Sequence, residues 1–189
     1  YAKALGFIKK AYSTNNYDGK ITILYSAMLR KQGQKEEAQP LLQKLLKYDP
    51  LNFAAIYENE LWNGNSSLEK WQRNMQDRDN NYLDVAMNYI NAGLFDDGLS
   101  LLSSIKEPKN PLVFYYLAWL YGNSNQPSKA AQLLSNVNTV SFDYCFPYRK
   151  ETETILKYAI EKNPQSANAY YLLGNLLYDN RPSDAINAW

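Results

Sequence analysis

The sequence predicts an all-α solenoid, a right-handed superhelix of about eleven or twelve helices that pair into antiparallel hairpins. Two observations carry this prediction. Apolar residues recur at i, i+3, i+4 and i+7, which is one stripe of an α-helix, and a small residue stands inside each stripe. The small residues also recur along the chain at constant spacings, which indicates one repeated hairpin whose copies bury their stripes against each other.

The clearest hairpin lies in residues 167–189. Its first stripe consists of Tyr170, Leu173, Gly174 and Leu177. A glycine inside a helix costs about 1 kcal/mol relative to alanine, so Gly174 predicts that another part of the chain approaches closely. Ala185 is the expected partner, because two small residues let antiparallel helices nest, and Trp189 follows one turn later.

Three earlier hairpins repeat this pattern. Their small residues are 12 positions apart: Ser26 and Ala38, Ala86 and Gly98, Ala118 and Ala130. Ala4 precedes Ala38 by 34 residues, which indicates the repeat length. The turns before Ala130 and Ala185 both place a proline at the first position of the second helix, where its missing N–H is tolerated.

Two units depart from the pattern. The 60 residues between Ala38 and Gly98 predict a shortened unit, with a helix from about Phe53 to Trp62, a turn at 64–67 with Ser67 in the small position, and a second helix through Trp71. The 55 residues between Ala130 and Ala185 place Thr152 in a small position. Residues 138–149 then have to replace a first helix with a largely extended segment, and Pro147 supports this.

These assignments predict one array over residues 1–189. Its units are 1–18 (second helix only), 19–52, 53–78 (shortened), 79–110, 111–137, 138–166 (first helix replaced by the irregular segment) and 167–189 (truncated). Both ends fall inside predicted helices and the sequence does not begin with methionine. We therefore expect a fragment of a longer protein.

The recurring residues resemble the tetratricopeptide repeat, a 34-residue helix–turn–helix unit. Gly33, Phe95 and Pro50 also stand where that family has its turn glycine, turn aromatic and closing proline. The resemblance implies a non-catalytic protein-interaction scaffold that binds a peptide, a partner protein or a neighbouring domain through its concave face.

The last fifty residues are also similar to something narrower. Residues 146–151, Leu156, Ala159 and 170–178 resemble the repeat region of large bacterial proteins with an upstream, uncharacterised β-rich domain of the mutarotase-like type. This resemblance implies an alternative function, an accessory module of a carbohydrate-binding or carbohydrate-processing bacterial protein. An upstream domain of the same polypeptide is then a candidate partner.

The composition excludes several function classes. Twenty basic residues balance nineteen acidic ones without a basic patch, so no nucleic-acid partner is predicted. Histidine is absent, and no phosphate loop, nucleophile elbow or paired-cysteine site occurs, so no catalytic residue, metal or cofactor is predicted. The acidic pairs Glu36–Glu37 and Asp96–Asp97 are expected at helix starts, where they favour the helix dipole.

The sequence contains less information about membrane partners and about the cellular compartment. The longest apolar run, residues 112–121, is too short to span a bilayer, so no membrane partner is predicted. Cys145 is the single cysteine of the sequence, so no intramolecular disulfide can form. The sequence has no histidine that could activate its thiol, and we therefore expect a structural role. The bacterial cytoplasm is favoured, with a secreted or periplasmic parent as the alternative.

The candidate binding surface consists of first-helix residues beside the stripes. These are Arg30, Met87, Asn91, Tyr115, Trp119, Asn123, Tyr171, Asn175 and Tyr178. For Tyr115 and Trp119 the alternative is packing on neighbouring hairpins. The carboxylate clamp of chaperone-binding relatives is not predicted, because Asn175 alone matches its pattern.

The irregular segment provides a second candidate surface. Its members are Tyr144, Phe146, Tyr148 and Arg149. Irregular segments often carry function, yet the same aromatic side chains could fill the space of the missing helix. Both interpretations remain open from the sequence.

Overall fold

The computed structural model describes residues 2–64, 68–76 and 78–189. Over these residues it contains twelve α-helices: α1 Ala2–Thr14, α2 Gly19–Lys31, α3 Lys35–Tyr48, α4 Phe53–Trp62, α5 Leu68–Asn74, α6 Asp79–Asn91, α7 Phe95–Ser103, α8 Pro111–Asn123, α9 Pro127–Asn136, α10 Thr152–Lys162, α11 Ala167–Leu177 and α12 Pro182–Ala188. The described ranges contain no strand, so the all-α prediction is confirmed. The helix α4 has the predicted bounds, whereas Ser67 lies outside the described residues.

The chain divides into two compact units, residues 1–93 with α1 to α6 and residues 94–189 with α7 to α12. We call them the N-terminal and C-terminal units. The division into seven repeats stays a prediction.

Local chemistry sets the helix ends. Asp18, Asn52 and Asn110 each precede a helix and accept a hydrogen bond from a backbone N–H of its first turn, at 2.9–3.0 Å. Such caps satisfy donors that have no partner within the helix. Gly33 follows α2 with φ +72°, a left-handed conformation that ends a helix readily at glycine. The acidic pairs lie in the first turns of α3 and α7, as predicted.

The α2–α3 hairpin forms the core of the N-terminal unit. Its predicted small residues Ser26 and Ala38 are fully buried. Tyr25 and Leu29 pack with Ala38, and partly buried side chains of α1, α3 and α4 surround them. Trp62 of α4 donates its indole N–H to Ser26 Oγ at 3.2 Å, so the small position admits a ring from the following helix.

Trp71 anchors the short helix α5. Its side chain is buried, and its indole N–H donates to the carbonyl of Phe53 in α4 at 2.9 Å. The Tyr57 ring lies 4.8 Å from the Trp71 ring and the Tyr82 ring 5.2 Å from it, centroid to centroid. One tryptophan therefore joins α4, α5 and α6, although α5 has only seven residues.

Other side chains approach Gly174 and Gly122 of the C-terminal unit closely. A Cβ added to Gly174 would lie 2.1 Å from Trp189 Nε1. The predicted close approach at Gly174 is confirmed, but its partner is corrected: the nearest atoms belong to the Trp189 indole and not to Ala185. A Cβ added to Gly122 of α8 would lie 2.1 Å from the Tyr158 hydroxyl of α10, a contact that the sequence reading missed.

Residues 140–151 form the irregular segment between the 3-10 turn Val137–Thr139 and α10. The helix α10 packs against both α8 and α11. Thr152, at the start of α10, is buried, and its hydroxyl lies 2.7 Å from the Tyr116 hydroxyl of α8. The small position that the sequence assigns to Thr152 is thus occupied by a polar contact between two hydroxyl groups.

Candidate functional site

Arg30 is committed to an intramolecular ion pair. Its Nε donates to Glu58 Oε1 at 2.7 Å and its second terminal nitrogen donates to Oε2 at 3.1 Å. Tyr89 donates to the same Oε2 at 2.9 Å. Glu58 is fully buried, and burial together with the Glu58 charge raises the pKa of Tyr89 well above its ordinary value. The Glu58 carboxylate of α4 therefore joins α2, through Arg30, and α6, through Tyr89.

The other two candidates of the N-terminal unit differ in exposure. Met87 is buried, which corrects the expectation that it faces a partner. The helix α6 packs against α2 and α4, and this packing covers more than the predicted stripe. Asn91, in the last turn of α6, is exposed.

Tyr115 and Trp119 of α8 both pack within the chain, which was the alternative to a binding role, but they are buried to different extents. Tyr115 is buried, which corrects its assignment to a binding face, and burial raises its pKa. Cys145 of the irregular segment and Ser166 lie close enough to influence that pKa. Trp119 is half-buried and packs edge-on against Phe95, with ring centroids 5.2 Å apart.

The remaining candidates lie at the surface of the C-terminal unit. Asn123 is exposed and donates to the Trp119 carbonyl at 2.8 Å, while Asn175 is half-buried. Tyr171 of α11 and Tyr178, which directly follows α11, are exposed. Trp189 joins these two tyrosines: its indole N–H donates to the Tyr171 carbonyl at 3.2 Å, and its ring centroid is 5.7 Å from that of Tyr178.

Exposed and buried residues alternate along the irregular segment. Tyr144, Phe146 and Tyr148 are 92%, 68% and 60% exposed, and we call these three the aromatic ridge. The side chains between and after them, Cys145, Pro147 and Arg149, are buried. The three aromatic side chains are therefore exposed, which does not fit the interpretation that they fill the space of the missing helix. Their role as a binding surface stays a prediction.

Arg149 is therefore corrected from a surface residue to a buried one. Its guanidinium lies 4.2 Å from the centroid of the Tyr148 ring, and it also donates to the Tyr148 hydroxyl. A guanidinium stacked on an aromatic face stabilises both groups. The Tyr148 ring is consequently fixed by the buried Arg149 side chain.

Cys145, in the middle of the irregular segment, attaches this segment to the start of α8. Its Sγ–H donates to Asn110 Oδ1, the cap of α8, at 3.5 Å. Its backbone N–H donates to the Phe142 carbonyl at 3.2 Å, and Tyr144 between them has φ +57°. This left-handed conformation is unusual for a residue with a side chain and persists where the surroundings fix it.

We expect Cys145 to react slowly in the folded protein. Burial raises the pKa of its thiol to about 11 from an ordinary value of 9.0, and the thiolate is the reactive form. At pH 8 the thiolate fraction then falls about 100-fold. Ellman's reagent should modify the native protein at least about 100-fold more slowly than the urea-unfolded protein. Equal rates in the two states would contradict a buried thiol.

Two searches of the described part of the chain bear on other site types. No group of three or more His, Cys, Asp or Glu side chains there could hold a metal ion. Among the helices formed by these residues, none combines the length and hydropathy that crossing a bilayer requires.

Comparison with known proteins identifies one repeat by sequence. The family model described as "Tetratricopeptide repeat" matches residues 22–52, which span most of α2 and all of α3. No curated protein matches the chain. The upstream β-rich domain implied by the narrower resemblance stays a prediction.

Three solved structures with similar folds have low sequence identity to this chain. One is YrrB, "a TPR protein with an unusual peptide-binding site", at 16% identity over 96% of this chain and 88% of that one, TM-score 0.29. Another is the APC/C hetero-tetramer Cut9-Hcn1, at 15% identity over 99% and 42%, TM-score 0.40. A third is MamA protein, at 16% identity over 89% and 86%, TM-score 0.31. At these values no function is transferred. The all-α part of the predicted fold class is confirmed for the described residues, and residues 22–52 match one tetratricopeptide repeat. The superhelical arrangement of the hairpins stays a prediction.

Proposed function

We propose that this chain is a non-catalytic scaffold that binds a protein partner, and that the aromatic ridge is part of its contact surface. The observation that carries this proposal is the outward presentation of Tyr144, Phe146 and Tyr148 on one side of a short segment. Contiguous exposed apolar groups mark interaction sites, and tyrosine is enriched among the residues that dominate binding energy.

The energetics of the ridge favour binding. Covering one large apolar side chain contributes about 1.5–3 kcal/mol, so an interface over three rings has several kcal/mol available. Cys145 already holds the segment to the cap of α8 through Asn110, and Arg149 fixes the Tyr148 ring within the segment. A surface that is ordered before binding loses less entropy on association.

The residues of the predicted concave face that are not buried, apart from the ion-paired Arg30, belong to the same proposal. They are Asn91 in the N-terminal unit and Trp119, Asn123, Tyr171, Asn175 and Tyr178 in the C-terminal unit, of which Trp119 and Asn175 are half-buried. Candidate partners are separate proteins and other domains of a longer polypeptide.

The test compares three forms of the full chain. The first is the wild type, the second is the triple variant Tyr144→Ser/Phe146→Ser/Tyr148→Ser, and the third is Phe7→Ser. Phe7 lies on α1 and is 66% exposed, which matches the exposure of Phe146 and makes it the control. Proteins that the wild type retains from a lysate and the triple variant does not are then purified. Their binding to all three forms is measured by calorimetry.

We expect the triple variant to bind such a purified partner at least about 100-fold more weakly, since loss of well-buried contacts of this kind costs 1 kcal/mol or more each. The Phe7→Ser affinity should equal that of the wild type. If every retained protein binds the triple variant with wild-type affinity, or if none distinguishes the two forms, the ridge is not the contact surface. Circular dichroism establishes that all forms are equally folded.

A further inference from the structure

Asn63 and Gly64 form the only Asn–Gly pair of the sequence. They directly follow α4, which ends at Trp62, and both are exposed. Gly64 has φ +75°, and no described atom would lie within 4 Å of a Cβ added to it. The peptide bond between the two residues therefore lies beyond the helix and in contact with water.

An Asn–Gly pair can rearrange without an enzyme. The backbone nitrogen of the glycine attacks the side-chain Cγ of the asparagine, a C–N bond forms, and the side-chain nitrogen leaves as ammonia with the proton of the backbone N–H. Water then opens the resulting cyclic imide at one of its two carbonyls, which yields aspartate or isoaspartate. Glycine permits this reaction best, because it has no Cβ to hinder its nitrogen and accepts the widest range of backbone angles.

The helix end does not have to unwind for this attack. The backbone N–H of Asn63 donates to the carbonyls of Asn59 and Glu60, at 3.2 and 3.1 Å. The Gly64 nitrogen reaches Cγ by rotation about the Cα–C bond of Asn63. Because that rotation leaves the Asn63 N–H in place, both hydrogen bonds can persist.

The sequence also contains two Asp–Gly pairs, which can form the same cyclic imide, and the structure restrains both. Asp18 caps α2, and its Oδ1 accepts a hydrogen bond from the Ile21 N–H at 3.0 Å. Asp97 is buried in α7, and the Gly98 N–H donates to the Leu94 carbonyl at 3.2 Å. The attacked side chain is held in the first pair and the attacking nitrogen in the second.

We propose that Asn63 is a site of spontaneous deamidation in the folded protein. The reaction converts a neutral amide into a carboxylate, so the formal net charge falls from +1 to 0. The new charge lies at the C-terminal end of α4, where the helix dipole disfavours an anion. Isoaspartate also lengthens the main chain between α4 and α5 by one methylene. The site shares no residue with the aromatic ridge.

The experiment incubates the full chain in warm, mildly alkaline buffer and follows each asparagine by peptide mapping with tandem mass spectrometry. Asn123 is the internal control, because it is exposed at the end of α8 but is followed by Ser124. The variant is Gly64→Asp, since aspartate tolerates a positive φ better than most residues. The urea-unfolded chain is incubated in parallel, and circular dichroism compares the fold of the two native proteins.

We expect Asn63 to deamidate at least about 10-fold faster than Asn123 in the native wild type. The Gly64→Asp variant should slow the reaction at Asn63 at least about 10-fold. Isoaspartate should be present among the products, because direct hydrolysis of the amide would give aspartate alone. Asp18 and Asp97 should form isoaspartate mainly in the unfolded chain.

Four outcomes would overturn the proposal. These are an Asn63 that reacts in the unfolded chain but stays intact in the native one, a rate at Asn63 no greater than that at Asn123, a rate that Gly64→Asp leaves unchanged, and a product without isoaspartate. Isoaspartate at Asp18 or Asp97 in the native protein, formed as fast as at Asn63, would contradict the restraint of those two pairs.

Discussion

Replacing Glu58 with alanine is expected to lower the free energy of unfolding by about 3–5 kcal/mol. The variant leaves the Arg30 guanidinium without the carboxylate that pairs with it and the buried Tyr89 hydroxyl without its acceptor. Removing one partner of an ion pair is costly where the remaining groups are shielded from water. The Arg30 side chain is only 17% exposed, and Tyr89 is fully buried. Urea denaturation followed by circular dichroism measures the loss.

Two further variants define the cause. The double variant Arg30→Met/Glu58→Leu removes both charges and should be more stable than Glu58→Ala, because a matched apolar pair leaves no isolated charge. Glu161→Ala removes an exposed carboxylate next to Lys162 and should cause no measurable change. A Glu58→Ala protein as stable as Glu161→Ala would show that the ion pair does not hold the three helices.

Replacing Trp71 with alanine is expected to cost about 3–5 kcal/mol of unfolding free energy. The variant removes a buried ring that contacts Tyr57 and Tyr82, and it removes the donor to the Phe53 carbonyl. The helix α5 is only seven residues long. The measurement is again urea denaturation.

Trp119→Ala is the matched control for this tryptophan. Trp119 is half-buried and has one edge contact, with Phe95. Since less apolar surface is lost, its cost should be less than half that of Trp71→Ala. Equal costs for the two substitutions would contradict the central position of Trp71.

The helices and their small positions were predictable from the sequence because both depend on local spacing. Ser26, Ala38, Ala118 and Ala130 are buried where the repeat placed them, and the glycine at 174 meets a ring. Such positions repeat because each hairpin presents the same stripe to its partner helix.

The exposure of the candidate site was less predictable. Tyr115 and Met87 lie beside their stripes, yet both are buried, because these first helices are covered on more than one side. The contact between Gly122 and Tyr158 joins residues 36 positions apart. It depends on how residues 140–151 replace a helix, and no repeat pattern describes that replacement. The alternation along the ridge has the same origin.

The alternation in the irregular segment separates positions that affect folding from positions that affect the surface. Substitutions at Cys145, Pro147 or Arg149 alter buried contacts and should change the stability of the fold. Substitutions at Tyr144 or Phe146 change mainly the exposed surface, whereas substitutions at Tyr148 also remove a contact of the buried Arg149. If the ridge binds a partner as proposed, its binding preference can be changed at three alternate codons, and most directly at 144 and 146. A mutational scan should show this as a two-residue rhythm of tolerance along the segment.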